Sequence, residues 1–352
     1  MGAARRLVGC QHGDVEVSGA ALAQAYFSQV VAPVLAARWP GLPVAAGRLG
    51  GGSDALGYDD AVSRDHDWGL RLNLLVPAEL AADVDAVLEE ELPETFQECP
   101  VRFATTWDPT VRHRVQVDDV DSLVRSRTGL DMSAPLATTD WLSLTGQSVL
   151  EVTAGPVFVD TASRLTEVRR RLEWYPEDLW RYVVAADWSR IAQELPFVGR
   201  TGERGDDLGS RVIASRLVAV CIHLAHLLER RWQPYPKWAG ASLLQMPRAG
   251  AAAEPLRLAL EAGDWTIRQE RLADALRMLN GVQRQAGLPA ADDPVQPFFE
   301  RSGVGIRDEV VKVLEASIDD AEVRALPRGI GSAEQWSDNV DVLVDPTRRL
   351  TF

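Results

Sequence analysis

Between Asp65 and Val76 the chain alternates. Trp68, Leu70, Leu72 and Leu74 fall on one side, and Asp67, Gly69, Arg71 and Asn73 on the other. A two-residue period belongs to a half-buried strand, so residues 65–76 are expected to sit in a sheet. The segment before it is also extended in character. Val44 to Leu49 is short and apolar, and it runs directly into Gly50, Gly51, Gly52 and Ser53. Pro77 is expected to open a helix through Glu91, with Leu80, Val84 and Leu88 on one side. Val111 to Val117 is a third strand candidate, and Val17 to Arg38 reads as an amphipathic helix bent at Pro33. Strand, glycine turn, long strand, helix, strand makes a mixed α/β unit.

Beyond about Thr161 helical spacing takes over. Leu217, Cys221, Leu224 and Leu228 form one stripe. Helices are predicted over Pro176 to Leu195, Gly209 to Trp232, Pro255 to Ala262 and Ile267 to Ala286. A chain of 352 residues exceeds the usual limit of about 250–300 for one core. The predicted class is therefore α+β: a small mixed-sheet domain over 1–160, then an all-helical domain over 161–352. The last stretch carries Trp336 and an apolar VLV, and is expected to pack back onto the body.

The net charge of −14 argues against DNA, because nucleic-acid binders need a basic footprint. No apolar run of about 20 residues is evident, and the first residues lack the apolar core of a secretory signal. The expectation is a cytoplasmic protein without a membrane partner. Cys10, Cys99 and Cys221 are scattered and odd in number, which argues against a disulfide framework and against a finger-type zinc site.

Two chemical features stand together near residue 60. Backbone N–H groups can wrap a phosphate where no side chain blocks approach, and the turn Gly51-Gly52-Ser53 offers that, with the Ser53 hydroxyl as a further donor. Asp65 and Asp67 share one face of the predicted strand. Two such carboxylates repel unless a cation sits between them, and magnesium takes oxygen ligands together with substrate phosphates. A phosphate cradle beside a carboxylate pair describes a nucleotide site. It is not a P-loop, since no Lys-Ser or Lys-Thr follows the glycines. Nor is it the dinucleotide fingerprint, because no helix is expected to open at the third glycine.

A Gly-Ser turn followed by Asp-x-Asp at the start of a strand resembles the nucleotidyltransferases of the DNA polymerase β superfamily. The stretches RLGGGSDALGYDDAVSRDHDWG, DWLSLTGQSVLEVTAGPVFVD, PFVGRTGERGDDLGSR and YPKWAGASL are similar to a bacterial domain-of-unknown-function branch of it. The resemblance spans nearly the whole chain. It implies that Asp65 and Asp67 hold magnesium, and that Gly51, Gly52 and Ser53 hold the phosphates of a nucleoside triphosphate, ATP being favoured. It also implies a third carboxylate on a neighbouring strand. Gln116 stands where that acid is first sought, and Asp118, two residues on, is the candidate. The helical half is expected to close over the nucleotide, with Lys237, Arg200 and Glu203 in the cleft wall and Trp238 against a base. The acceptor is expected to be a hydroxyl of a small molecule or protein.

Plainer readings stand beside these. The glycines can be a tight turn, and Asp54, Asp59 and Asp60 turn formers. Lys237 can be a surface lysine, and Arg200 and Glu203 a mutual pair of little energetic consequence. Cys221, His223 and His226 share one helix and are expected to be packed there, as are most of the eleven tryptophans. Two other functions compete: a nucleotide-binding module without turnover, which Gln116 favours, and a toxin–antitoxin or defence transferase with a macromolecular acceptor.

Overall fold

The computed structural model describes residues 18–60 and 69–350. Asp65, His66, Asp67 and Trp68 therefore lie outside the described residues. Those up to Ala134, together with Ser148–Glu173, form one compact unit, and Pro135–Gln147 together with the residues from Trp174 onward form a second. Where the sequence suggests a single boundary near 160, the chain passes between the units three times, after Ala134, Gln147 and Glu173. It returns to the first unit at Ser148 and there supplies the strand Val157–Asp160, which completes that unit's sheet.

That sheet has four strands: β1 Ala45–Gly47, β2 Leu72–Leu75, β3 Val115–Asp118 and β4 Val157–Asp160, in the order β3-β2-β1-β4. β2 and β3 are parallel, while β1 runs antiparallel to both β2 and β4. Asn73 faces Gly47 on one side and Gln116 on the other, and Leu75 lies between Ala45 and Asp118. The pairing of β1 with β4 slips between Ala46 and Gly47, so Gly47 faces Val157.

Leu70, Leu72 and Leu74 do share one side. They pack with Tyr26, Val31, Leu35, Val84 and Leu88 from the segments Gly19–Arg38 and Ala81–Glu91. The opposite face is not left to water, however. Ala45 and Leu75 pack there with Leu49, Leu123 and Leu165, the last two from Val120–Thr128 and Arg164–Arg171. β2 is thus buried on both faces. Of the polar half of its alternation, Asn73 is buried and hydrogen-bonded within the sheet, and the strand is shorter than the pattern predicted.

The first helical segment begins at Gly19, where the Ser18 hydroxyl accepts from Ala21 N–H. A π-helical turn, Phe27–Val31, precedes Pro33. A proline ring clashes with the carbonyl four residues back, and a widened turn relieves that contact. Gly19–Arg38 and Asp207–Leu228 are long and apolar enough to cross a membrane by length and composition, contrary to the expectation of none. Each places apolar side chains in the core of its own unit.

The second unit is built on Glu177–Gly202, Asp207–Leu228 and Trp265–Gln285, which pack on one another. Trp180 and Trp188 are fully buried on the first of these. Their indole N–H groups donate to Leu227 O at 2.8 Å and to Gln283 Oε1 at 2.6 Å. This helix was expected to stop at Leu195, but it continues through Pro196, with Val198 and Gly199 also buried. Packing of that extra length outweighs the one backbone bond proline cannot make. The unit is not all-helical: Val295–Pro297 and Val304–Ile306 pair as an antiparallel hairpin. The C-terminal stretch does pack back within its unit. Tyr182 Oη donates to Pro327 O at 2.7 Å, Arg190 to Gln335 O at 2.6 Å, and Gln335 Nε2 to Val183 O at 2.8 Å.

Cys99 is disulfide-bonded and Cys221 is a free, buried thiol. Three scattered cysteines gave no expectation of that bond. Burial pushes the Cys221 thiol far up, leaving it no tendency to ionise.

Candidate functional site

The glycine turn leaves β1 at its C-terminal end. Everything before it is tied down. Arg48 N–H donates to Pro156 O at 3.0 Å, Leu49 N–H to Asn73 Oδ1 at 2.9 Å, and Gly50 N–H to Glu151 O at 3.0 Å. Gly50 has φ of +97°, a left-handed value that glycine adopts without strain. After Gly50 the pattern changes. Among the described residues none accepts from the backbone N–H groups of Gly51, Gly52, Ser53 or Asp54. A short helix, Ser53–Leu56, opens directly after Gly52, where the sequence was read as having no helix. Its first N–H groups are orphans by helix geometry.

The turn rests on a buried ion pair whose acid, Asp54, the sequence offers only as a turn former. Arg48 Nε and Nη2 each lie 2.7 Å from Asp54 Oδ2 and Oδ1 respectively, and Arg48 is 2% exposed. The C-terminal end of the helix Gly146–Thr153, whose Glu151 carbonyl accepts from Gly50, is itself held by a second arginine. Arg169 donates to the carbonyls of Val152, Ala154 and Gly155 at 3.0, 2.9 and 3.0 Å. Burial lowers the Arg169 pKa to about 10. Asp59 also has a structural task, its Oδ2 accepting from Gly19 N–H at 2.8 Å.

Beside the turn, Asn73 Nδ2 donates to Gln116 Oε1 at 3.1 Å. The register sets Gln116 level with Gly47, the last residue before the turn. Asp118 is level with Ala45, at the other end of β1. Burial pushes the Asp118 carboxyl up, and a bond from Asp119 N–H at 2.9 Å works against that. A further carboxylate comes from a helix the sequence reading missed, Gly146–Thr153. Glu151 is 7% exposed, and its Oε2 lies 3.4 Å from Arg127 Nη1. Its eight residues are too few to show a helical period. Among the described residues no group of three or more His, Cys, Asp or Glu side chains gathers to hold a metal.

The remaining predicted residues belong to the second unit. Arg200 is exposed in the last turn of Glu177–Gly202, not in a loop, with its guanidinium 5.6 Å from the Phe197 ring centre. Glu203 caps that helix and is exposed. Lys237 is exposed on Pro236–Leu244, with Nζ 4.8 Å from the Trp238 ring centre. No ion pair joins Arg200 to Glu203 among the described residues.

The histidine helix is packed in that unit, and it carries a charge cluster that its sequence did not show. His223 Nδ1 lies 2.7 Å from Asp187 Oδ2 and Nε2 3.3 Å from Glu334 Oε1. Gln335 Nε2 donates to Asp187 Oδ1 at 2.7 Å, and Gly146 N–H to Glu334 Oε2 at 2.6 Å. Burial by itself lowers a histidine pKa, but the two carboxylates prevail and raise it to about 10. His226, three residues on, bonds Ser242 Oγ at 2.9 Å and pairs with no acid among the described residues. Burial drives its pKa down to about 4.

Residues 141–239 match the family described as domain of unknown function DUF4037. No curated protein sequence matches the chain. Among solved structures, the chain is similar to a nucleotidyltransferase-like protein from Exiguobacterium sibiricum. The identity is 15% and the TM-score 0.32, over 74% of this chain and 74% of that one.

Proposed function

We propose that the first unit binds the phosphates of a nucleoside triphosphate and transfers a nucleoside monophosphate to an acceptor hydroxyl. The observation that carries this reading is the run of four open backbone N–H groups, Gly51 to Asp54, on a turn clamped from beneath. Successive N–H groups of that kind suit an anion. The Ser53 hydroxyl adds a donor. Asp65 and Asp67 lie in the chain between this turn and β2, and enter from sequence alone as the ligands of magnesium. Bound there, the ion would neutralise phosphate charge. The described groups level with the turn, Asn73 and Gln116, are amides, so anionic ligands would have to come from Asp65, Asp67 and the nucleotide itself.

In the reaction the acceptor oxygen attacks the α-phosphorus, the bond to the β-phosphate oxygen breaks, and pyrophosphate leaves. The acceptor proton passes to a carboxylate base. Asp118 and Glu151 are the first-unit candidates, and only a carboxylate that reaches the acceptor can serve. Lys237, Arg200 and Glu203 enter as proposals from sequence, to be tested one by one. A small-molecule or protein acceptor and a cytoplasmic setting complete the reading.

The test is a thermal-shift series with ATP, GTP, CTP and UTP, each with and without magnesium, on the wild type and on Asp67→Asn. A ligand at 100 times its Kd adds about 2.7 kcal/mol. The expected result is magnesium-dependent stabilisation by at least one triphosphate, lost in the variant. No shift with any of the four sinks the reading. Gln116 level with the turn favours a second reading, a binding module without turnover. Binding without pyrophosphate release across a panel of hydroxyl acceptors would select it.

A further inference from the structure

We propose that the Arg48–Asp54 ion pair is the positioning device of the glycine turn: it sets the arc of the four open N–H groups and so sets their affinity for phosphate. The proposal rests on the phosphate-binding reading above. The pair closes the ends of the segment that carries the turn, residues 48 to 54, through two parallel bonds of 2.7 Å. Both side chains are nearly excluded from water, at 2% and 8% exposure. Arg48 Nη1 also donates to Leu49 O at 2.5 Å, and Asp54 Oδ1 accepts from Ala55 N–H at 3.1 Å. One guanidinium thus grips the start of the turn and, through the carboxylate, the first residues of the helix after it.

Gly52 shows how closely the backbone is drawn onto the pair. A Cβ there would stand 2.4 Å from Asp54 Oδ1 and 2.6 Å from Arg48 Nη2. The ion pair leaves no room for a side chain at this position. The pair carries no net charge, so attraction for phosphate falls to the N–H groups, and Arg48 acts through them. Apolar side chains of similar volume could fill this space with little loss of stability. What they could not do is hold a planar fork at fixed separation, as a guanidinium and carboxylate do.

The experiment compares the wild type, Arg48→Met/Asp54→Leu and Arg48→Lys by urea melting and by calorimetric titration with magnesium tripolyphosphate. Arg48→Lys keeps the charge and loses the fork. The expected result is a double variant that melts close to the wild type and binds at least about tenfold more weakly, with Arg48→Lys also weakened. The scale follows from small misplacements of a binding geometry. Either variant folding normally and binding as the wild type does would overturn the proposal. Failure of both variants to fold would make the pair a stability element and overturn it as well. No binding by the wild type, to tripolyphosphate or any nucleoside triphosphate, would instead sink the phosphate reading, and the proposal would fall with it.

Discussion

Two glycine-rich stretches in this chain put the same residue to opposite uses. In the first unit, Gly52 brings backbone down onto a buried ion pair, and the N–H groups of Gly51 to Asp54 have no acceptor among the described residues. In the second, Gly199 and Gly202 make room for a side chain. A Cβ on Gly202 would stand 2.2 Å from Trp265 Cγ, and one on Gly199 2.9 Å from Gln269 Oε1. There the glycines let Glu177–Gly202 and Trp265–Gln285 approach closely. A cluster of glycines and charges is therefore not a site by composition. What fills the space of the missing Cβ decides.

The buried charges divide the same way. Arg48–Asp54 spans six residues and shapes a local turn. His223 joins partners 36 and 111 residues distant and ties the C-terminal stretch to two helices. Replacing His223 by leucine strands two buried carboxylates and should cost about 3–5 kcal/mol in urea unfolding. An unchanged midpoint would show that the cluster contributes nothing. The pH dependence has a definite sign. His223 has a folded pKa raised to about 10 from an ordinary value of 6.5. Its contribution is complete below about 6.5 and is lost as pH rises through about 10. The stability gap between wild type and His223→Leu should be widest near pH 6 and narrow steadily toward pH 10.

Next in size is Gly202→Ala. Overpacking against Trp265 should cost about 1–3 kcal/mol and leave magnesium tripolyphosphate binding as it was. Gly52→Ala should show the reverse balance: a stability loss nearer about 1 kcal/mol and clearly weaker binding, because the ion pair must shift. If the two variants instead lose stability and binding in the same proportion, the contrast between the stretches fails. Smallest are Lys237→Ala and Arg200→Ala. Both side chains are exposed, so each should change stability by no more than about 0.5 kcal/mol. A rise in triphosphate Kd in either variant, at unchanged melting, would bring that residue into the nucleotide site.

The sequence by itself determined the elements whose cause is local. The side shared by Leu70, Leu72 and Leu74 follows from the two-residue period. The helix ending at Glu91 and the stripe through Leu217, Cys221, Leu224 and Leu228 follow from helical spacing. The turn after β1 was legible because three consecutive glycines are costly without a close approach. Three things waited for tertiary structure. Residues 177–202 form one helix through Pro196, because burial along its length outweighs a local preference. β2 is covered on both faces, because Val120–Thr128 and Arg164–Arg171 return over the side that looked polar. Gln116 rather than Asp118 stands level with the turn, because register is fixed by β1 and β2 together. The same holds for Arg48 and Asp54: each is an ordinary charged residue until the path of the turn brings them within 2.7 Å. Local periodicity is written in neighbours along the chain, but a partner across a turn, a sheet or a bundle depends on where the rest of the chain has gone.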